Sequence, residues 1–272
     1  MAKSRFVISN SIIADALKLA ARNFEMEIAA KPLRQNTISR LCHSVLGGLS
    51  IGFATPARVG EFAGRILLLP SSLRVDALYL SAVGGLAQSL VTFSVALVLL
   101  PFISAFAFSY LSVVTISFAL LFFLVAIFLY FFFEKLTKIF GTQFPAVQKY
   151  VASETHLPLL EQKLKVLVLS SLRYAIYLFQ YALLFRFVGV EENGLALAAA
   201  VALLLLLQSL SPLMPIADAA LRGGFSLLIF HENNQQAALI FLVPFVLWLV
   251  NLLLPAILGY IFLLNYHDDS TG

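Results

Sequence analysis

Charge is scarce in this chain. Asp, Glu, Lys and Arg make up 12% of its 272 residues, while 61% are hydrophobic and the mean hydropathy is +0.94. Soluble domains carry about 25% charged residues, and a water-soluble globule of this size needs far more polar surface than this sequence supplies. The scarcity excludes an ordinary cytosolic enzyme, a disordered chain and a nucleic-acid-binding domain. It leaves an all-α integral membrane protein. Cysteine is scarcer still. Cys42 stands alone, so there is no intrachain disulfide and no Cys cluster for structural zinc or iron–sulfur. The four His, at positions 43, 156, 231 and 267, have no ligand spacing, so neither a metal nor another cofactor is expected. A G-x-x-x-x-G-K-[ST] nucleotide loop is missing as well. No cleavable leader is expected either, because Lys3 and Arg5 are followed by a stretch interrupted by Asp15, Lys18 and Arg22.

What is present is a series of apolar segments. Residues 6–30 have helical spacing but carry five charged residues, Asp15, Lys18 and Arg22 among them, which suits an interfacial helix or a span packed on protein. Full spans are expected over 75–100, 112–133, 166–188 and 237–264, the last with Pro244 and Pro255 inside it. Two places differ. Residues 41–53 are too short to cross a hydrocarbon core of about 30 Å at about 1.5 Å per residue. They lead through Thr55-Pro56 to a second short piece, 61–69. Residues 195–210 stop at Ser211-Pro212-Leu213-Met214-Pro215 and are followed by a short piece over 221–230. Both read as re-entrant hairpins built on broken helices. The fold expected is a polytopic helical bundle in one transmembrane domain over 1–272. It comprises a basic N-terminal segment (1–40), a first half with one hairpin (41–133), a polar loop (134–165), a second half with the other hairpin (166–264) and a tail (265–272).

Residues 1–40 hold seven basic residues and 134–165 hold five, whereas 101–111 and 189–194 hold none. The excess of Lys and Arg on cytoplasmic loops then places the N-terminus and the 134–165 loop in the cytoplasm of a multi-pass protein of the inner or plasma membrane. The two hairpins open from opposite faces, as in inverted-repeat transporters.

The remaining charges gather at the breaks. Arg58, Glu61 and Arg65 have i, i+3 and i+7 spacing, so on a helix they share a face. Pro56 precedes them, and a helix N-terminus there would add unpaired N–H groups for an anion. Gly60 lets another backbone or a headgroup approach. At the second break, Asp218 and Arg222 are i, i+4 partners beside Gly223. Arg173 lies in the third span. Charge at the bilayer centre costs about 2.5–3.5 kcal/mol per residue on insertion scales, so these residues are candidates for binding. The competing reading is structural ion pairs for Arg58, Glu61, Arg65, Asp218 and Arg222, and snorkelling for Arg173 and Arg186. Asn251 reads as an interhelical hydrogen bond or a cavity residue.

NFEMEIAAKPL (23–33), followed by LGGLSIGFATPARVGEFAGRILLLP (46–70), resembles the lysylphosphatidylglycerol synthase transmembrane, or flippase-like, family. That family carries Pro-x-Arg-x-Gly-Glu followed four residues later by Arg, matched here by Pro56, Arg58, Gly60, Glu61 and Arg65. A second motif, a Pro-rich break before a Gly-rich, Arg-containing helix start, is matched by Pro215, Arg222 and Gly223. Ala219 and Ala220 stand where the family commonly places a carboxylate. Family members usually start with a further apolar span upstream, so a shortened member is expected.

The resemblance implies a protein that moves or presents an anionic or aminoacylated phospholipid, or a polyprenyl-phosphate-linked lipid, with Arg side chains holding the headgroup. Its partners would be membrane lipids, together with a membrane protein partner or a second copy of itself, and no nucleic acid. In some relatives the domain precedes a soluble aminoacyl-transferase, for which the residues after 264 leave no room, so lipid aminoacylation is not expected. Two alternatives stay open: a non-catalytic membrane subunit of a lipid or glycan biosynthesis complex, and an intramembrane lipid-modifying transferase using Glu61 or Asp218 as base.

Overall fold

A computed structural model describes residues 37–53, 55, 59–67, 74–102, 113–143, 160–211, 215–230 and 236–264. The expected N-terminal helix over 6–30 and the tail lie outside the described residues, as do Pro56 and Arg58. Every regular element among the described residues is helical, and none is a strand. In chain order they are α1 (Thr37–Phe53), α2 (Gly60–Leu67), α3 (Arg74–Leu99, closed by a 3₁₀ turn Leu100–Phe102), α4 (Val113–Gln143), α5 (Leu160–Phe187), α6 (Gly194–Ser209), α7 (Pro215–Ile229), α8 (Ala237–Trp248) and α9 (Leu254–Leu264). A π-helical turn, Leu249–Leu253, joins α8 to α9.

Three segments are long and apolar enough to cross a membrane: Ser81–Phe102, Leu160–Phe187 and Ala237–Ile261. They correspond to the first, third and fourth spans read from the sequence. The second falls in α4, whose described side chains include a shorter apolar stretch, Leu120–Phe132. The polar loop is narrower than the composition suggests. Helix α4 continues through its Lys and Glu residues to Gln143, and α5 begins at Leu160. These residues are good helix formers once an apolar helix is nucleated, so the backbone keeps its hydrogen bonds past the end of the apolar run.

The molecule is apolar outside and carries polar groups inside. Leu121, Leu124 and Phe128 of α4 are each more than half exposed, and Val168, Leu172 and Phe179 of α5 are too. Meanwhile Ser81, Thr92, Ser170, Gln180, Gln208, Asp218 and Ser226 are buried. Continuous apolar surface on this scale is foreign to soluble monomers and suits a hydrocarbon solvent.

Helix α6 is the centre. It consists almost wholly of Leu, Ala and Val, with Val201, Ala202 and Leu204 fully buried, as expected of a helix that is hydrophobic all round. It packs against α3, α5 and α7. At 16 residues it measures about 24 Å. Asn193 caps its start by accepting from Leu195 N–H, and Ser209 and Ser211 donate to the carbonyls of Leu206 and Leu207 at its end. These bonds occupy part of the unpaired backbone groups at the two termini. Helix α7 starts at Pro215, six residues earlier than the apolar piece alone suggests. Proline is well placed at a first helical position, where its missing N–H has no intrahelical partner to lose.

The α1–α2 pair is a tight antiparallel hairpin. Gly52 faces Glu61, and Gly48 faces both Gly64 and Arg65. A methyl added at Gly64 would stand 2.8 Å from Gly48 Cα and 3.0 Å from Gly47 O, so the two backbones touch directly, as in small-residue packing in membranes. Helix α9 docks on the other flank of α1. Gly259 sits against Leu46 O, and Ser50 Oγ donates to Ala256 O at 2.7 Å. The π turn before Pro255 explains how the last span bends back to reach this seam. Leu254 N–H bonds to Leu249 O, five residues back, and the widened turn accommodates a proline that has no N–H to offer.

Candidate functional site

The first break is built on α2. The helix begins at Gly60, whose N–H donates to Thr55 Oγ1 at 2.8 Å, and Thr55 Oγ1 in turn donates to Gly52 O. The sequence reading placed a helix N-terminus with unpaired N–H groups near Pro56. Instead, the Gly60 N–H is occupied by Thr55, because a hydroxyl five residues upstream can fold back as a cap. Helical spacing holds for Glu61 and Arg65, while Arg58 lies outside the described residues. Glu61 and Arg65 form an i, i+4 ion pair, with side chains only 14% and 11% exposed. Arg65 Nη1 also reaches Ser81 Oγ of α3 at 3.4 Å. Gly52 makes the pair's position available: a methyl there would meet Glu61 Cβ at 2.8 Å.

The second break is built on α7. Asp218, in its first turn, accepts from Arg222 Nη2. A carboxylate in the first turn also complements the helix dipole. Arg222 lies beside Tyr181 and Tyr177 of α5. Gln208 of α6 donates to Tyr181 Oη at 3.2 Å. One polar cluster thus joins α5, α6 and α7 around the Asp218–Arg222 pair. Gly223 is buried against the Phe241 ring of α8, so it seats α8 on α7.

Helix α5 carries most of the remaining interior polarity. Arg173, Tyr177 and Gln180 recur at i, i+4 and i+7 and so fall on one side of the helix. Arg173 Nε donates to Gln88 Oε1 of α3 at 2.8 Å, and Asn251 of the π turn donates to Gln180 Oε1 at 3.3 Å. The structure ties Arg173 to α3 through Gln88, and it gives Asn251 the interhelical hydrogen bond. Arg186, at the end of α5, donates to Glu192 O at 2.5 Å and is exposed.

The two breaks meet across an aromatic seam. Phe53, the last residue of α1, packs on Trp248 with ring centroids 5.9 Å apart. Trp248, Ala219 and Leu252 form one buried cluster that includes Phe53 at its edge. Ala219 is the neighbour of Asp218, so the start of α7 and the end of α1 share a wall. Sequence reasoning missed Tyr177, Gln180, Tyr181, Gln208 and Trp248. Gln208 was visible as the one amide in the Leu/Ala run of α6. The α5 residues were visible as a polar helical stripe inside an apolar span.

Chemically, the breaks present two guanidinium–carboxylate pairs in low-dielectric surroundings. Such pairs are held together because breaking either leaves an uncompensated charge. No group of His, Cys, Asp and Glu suited to a metal occurs among the described residues. The chain matches no protein-family model, no curated protein and no solved structure.

Proposed function

We propose that the chain is a flippase-like membrane protein that moves or presents a lipid with a phosphate-bearing headgroup. The observation that carries the proposal is the pair of largely buried Arg–carboxylate couples, Arg65–Glu61 on α2 and Arg222–Asp218 on α7, two short helices next to the wall that the end of α1 and the start of α7 share through Phe53, Trp248 and Ala219. A chain with so few charges gains nothing in stability from burying them, since apolar side chains of the same volume would serve as well or better. A guanidinium carries five N–H donors, more than one carboxylate uses, so a headgroup phosphate can bind the Arg while its carboxylate partner stays in place. Arg58 would add the positive charge that favours an anionic lipid. Pro56, Gly60 and Gly223 shape the two breaks.

In this topology α3, α4, α5 and α8–α9 cross the bilayer and the α1–α2 and α6–α7 hairpins enter from opposite faces. The N-terminus and the segment between α4 and α5 face the cytoplasm of the inner or plasma membrane. The likeness of residues 46–70 to the lysylphosphatidylglycerol synthase transmembrane family supports the same reading.

The test is transport of a fluorescent anionic phospholipid in proteoliposomes containing the purified chain. Arg58→Ala and Arg65→Ala are expected to lose transport, as is the double variant Asp218→Asn/Arg222→Gln. Wild-type rates in correctly folded variants refute the site, and no lipid movement by the parent chain refutes the function.

A further inference from the structure

The helices fall into two bodies, each tightly built. Helices α1, α2 and α9 form the smaller one. Gly64 lies against the backbone of Gly47 and Gly48, and Gly259 lies against Leu46 O, so these three helices touch backbone to backbone. Helices α3 to α8 form the larger one. One buried apolar cluster joins α5, α6, α7 and α8, a second joins α3, α4 and α5, and a third joins α3 to α6. Short hydrogen bonds reinforce each body. Ser50 Oγ donates to Ala256 O at 2.7 Å in the smaller, and Arg173 Nε donates to Gln88 Oε1 at 2.8 Å in the larger.

The seam between the bodies is of another kind. Arg65 Nη1 crosses it to Ser81 Oγ at 3.4 Å, and Asn251 Nδ2 ties the π turn to Gln180 Oε1 at 3.3 Å. Both distances exceed the usual range of about 2.7–3.2 Å. Phe53 of α1 meets Trp248 of α8 with an interplanar angle of 43°, neither stacked nor edge-on. The Trp248 Nε1–H is buried there without an acceptor among the described residues, and a donor left so costs stability. A polar, thinly bonded seam between two packed bodies is the kind across which relative motion is expected. The chain passes from α8 into the smaller body through the π turn Leu249–Leu253. Pro255 follows with no N–H to bond the turn before it. Both features are established sites of bending in a helix.

We infer that α1, α2 and α9 swing as one body about the joint at 249–255, opening and closing the seam beside the Glu61–Arg65 pair. The inference stands on the packing of the fold and goes beyond the proposed function, since it names the part that moves and the pivot. Opening parts Arg65 from Ser81 and Phe53 from Trp248 together, and it leaves the glycine contacts within the smaller body intact. Helix α9 has 11 residues and measures about 16 Å. A swing of about 15°, a size met in switching proteins, carries its far end about 4 Å.

The experiment measures distances between spin labels by pulsed dipolar spectroscopy on the full chain in proteoliposomes, with and without phosphatidylglycerol. Cys42→Ala supplies the background, since Cys42 is the single cysteine. Two label pairs at exposed positions report across the seam: Leu264→Cys with Leu172→Cys, and Leu264→Cys with Val98→Cys. Phe62→Cys with Leu258→Cys reports within the smaller body, and Leu124→Cys with Val168→Cys within the larger. At least one pair across the seam should show two distances about 4 Å apart, or a shift of that size on adding the lipid. The pairs within each body should keep one distance. A single unchanged distance in every pair overturns the inference, and so does a change of that size within either body.

Pro255→Ala tests the pivot, because it returns an N–H to the joint. It should draw the two distances across the seam into one. Two distances kept as in the parent overturn the assigned pivot. A clamp then separates this inference from the proposed function. Phe53→Cys/Trp248→Cys is bridged by a short bismaleimide, and lipid movement is measured before and after bridging. Loss of lipid movement on bridging supports the swing. Undiminished movement, together with a single distance across the seam, sinks the swing and leaves the proposed function standing. Two distances with no lipid movement by the parent chain do the reverse.

Discussion

The closest approach of backbones in the hairpin offers the sharpest test of the fold. In Gly64→Ala the new methyl meets Gly48 Cα at 2.8 Å, and Gly47 O and Ile51 Cδ1 at 3.0 Å. Two of these atoms are backbone and cannot rotate away. Reaching ordinary van der Waals separation requires α1 and α2 to part by about 0.6 Å, and a gap of that size forfeits about a quarter of the dispersion well at each neighbouring contact. Helix α1 cannot retreat, because α9 holds its other flank through Gly259 and the Ser50–Ala256 hydrogen bond. Overpacking of this kind costs about 1–3 kcal/mol. Against it stands a helix-propensity gain of about 1 kcal/mol for replacing Gly by Ala. Gly85→Ala on α3 is the matched control, since nothing lies within 4 Å of its added methyl and it receives the gain alone. Equilibrium unfolding in mixed micelles, followed by Trp248 emission, should therefore place Gly64→Ala about 1–3 kcal/mol below Gly85→Ala. If Gly64→Ala equals or exceeds the control, the backbone-contact seam is refuted.

Four other outcomes follow from named contacts. Glu61→Ala strands Arg65 in a site where it is 11% exposed and should cost about 3–5 kcal/mol. Glu61→Leu/Arg65→Met should unfold within about 1 kcal/mol of the parent while losing lipid transport, which separates the pair's structural part from its binding part. Gly189 has φ +92° at the turn after α5, with the Gln236 amide crowding the position of a Cβ. Gly189→Ala is expected to lose about 1–3 kcal/mol in the same unfolding assay, and an unchanged midpoint would count against that backbone conformation. Asn251→Leu removes the hydrogen bond to Gln180. It should cost only about 0.6 kcal/mol, the usual worth of one interhelical bond in a membrane. A loss several times larger would mean that the π turn depends on Asn251 for more than this bond.

The ion pairs show where reading along the chain succeeds. Glu61–Arg65 and Asp218–Arg222 are i, i+4 partners, so their pairing follows from helix geometry once the segment is known to be helical. The cap at Thr55 shows where it falters. Whether a helix starts at Pro56 or at Gly60 depends on which hydroxyl reaches which N–H, and several spacings satisfy a single donor. Gly223 and Arg173 show a different limit. A glycine beside an arginine at a break suits a headgroup as well as a packed ring, and only the position of Phe241 on the next helix shows that a ring packs there. An arginine inside a span gives no sign of its neighbour until Gln88, 85 residues earlier, is seen to accept from it.

The sequence by itself determined the class of the protein and the rhythm of its helices. Hydropathy is additive along a segment, and proline offers no backbone N–H to a helix, so the apolar spans are legible without knowledge of neighbours, although Pro244 stands inside α8 without ending it. Tertiary structure alone decided which breaks share a wall and which interior groups stay unsatisfied. Phe53 meets Trp248, Ser50 meets Ala256, and Tyr181 meets Gln208 and Arg222. Such meetings join residues far apart in the chain. They arise from close packing, in which every side chain's place depends on all the others.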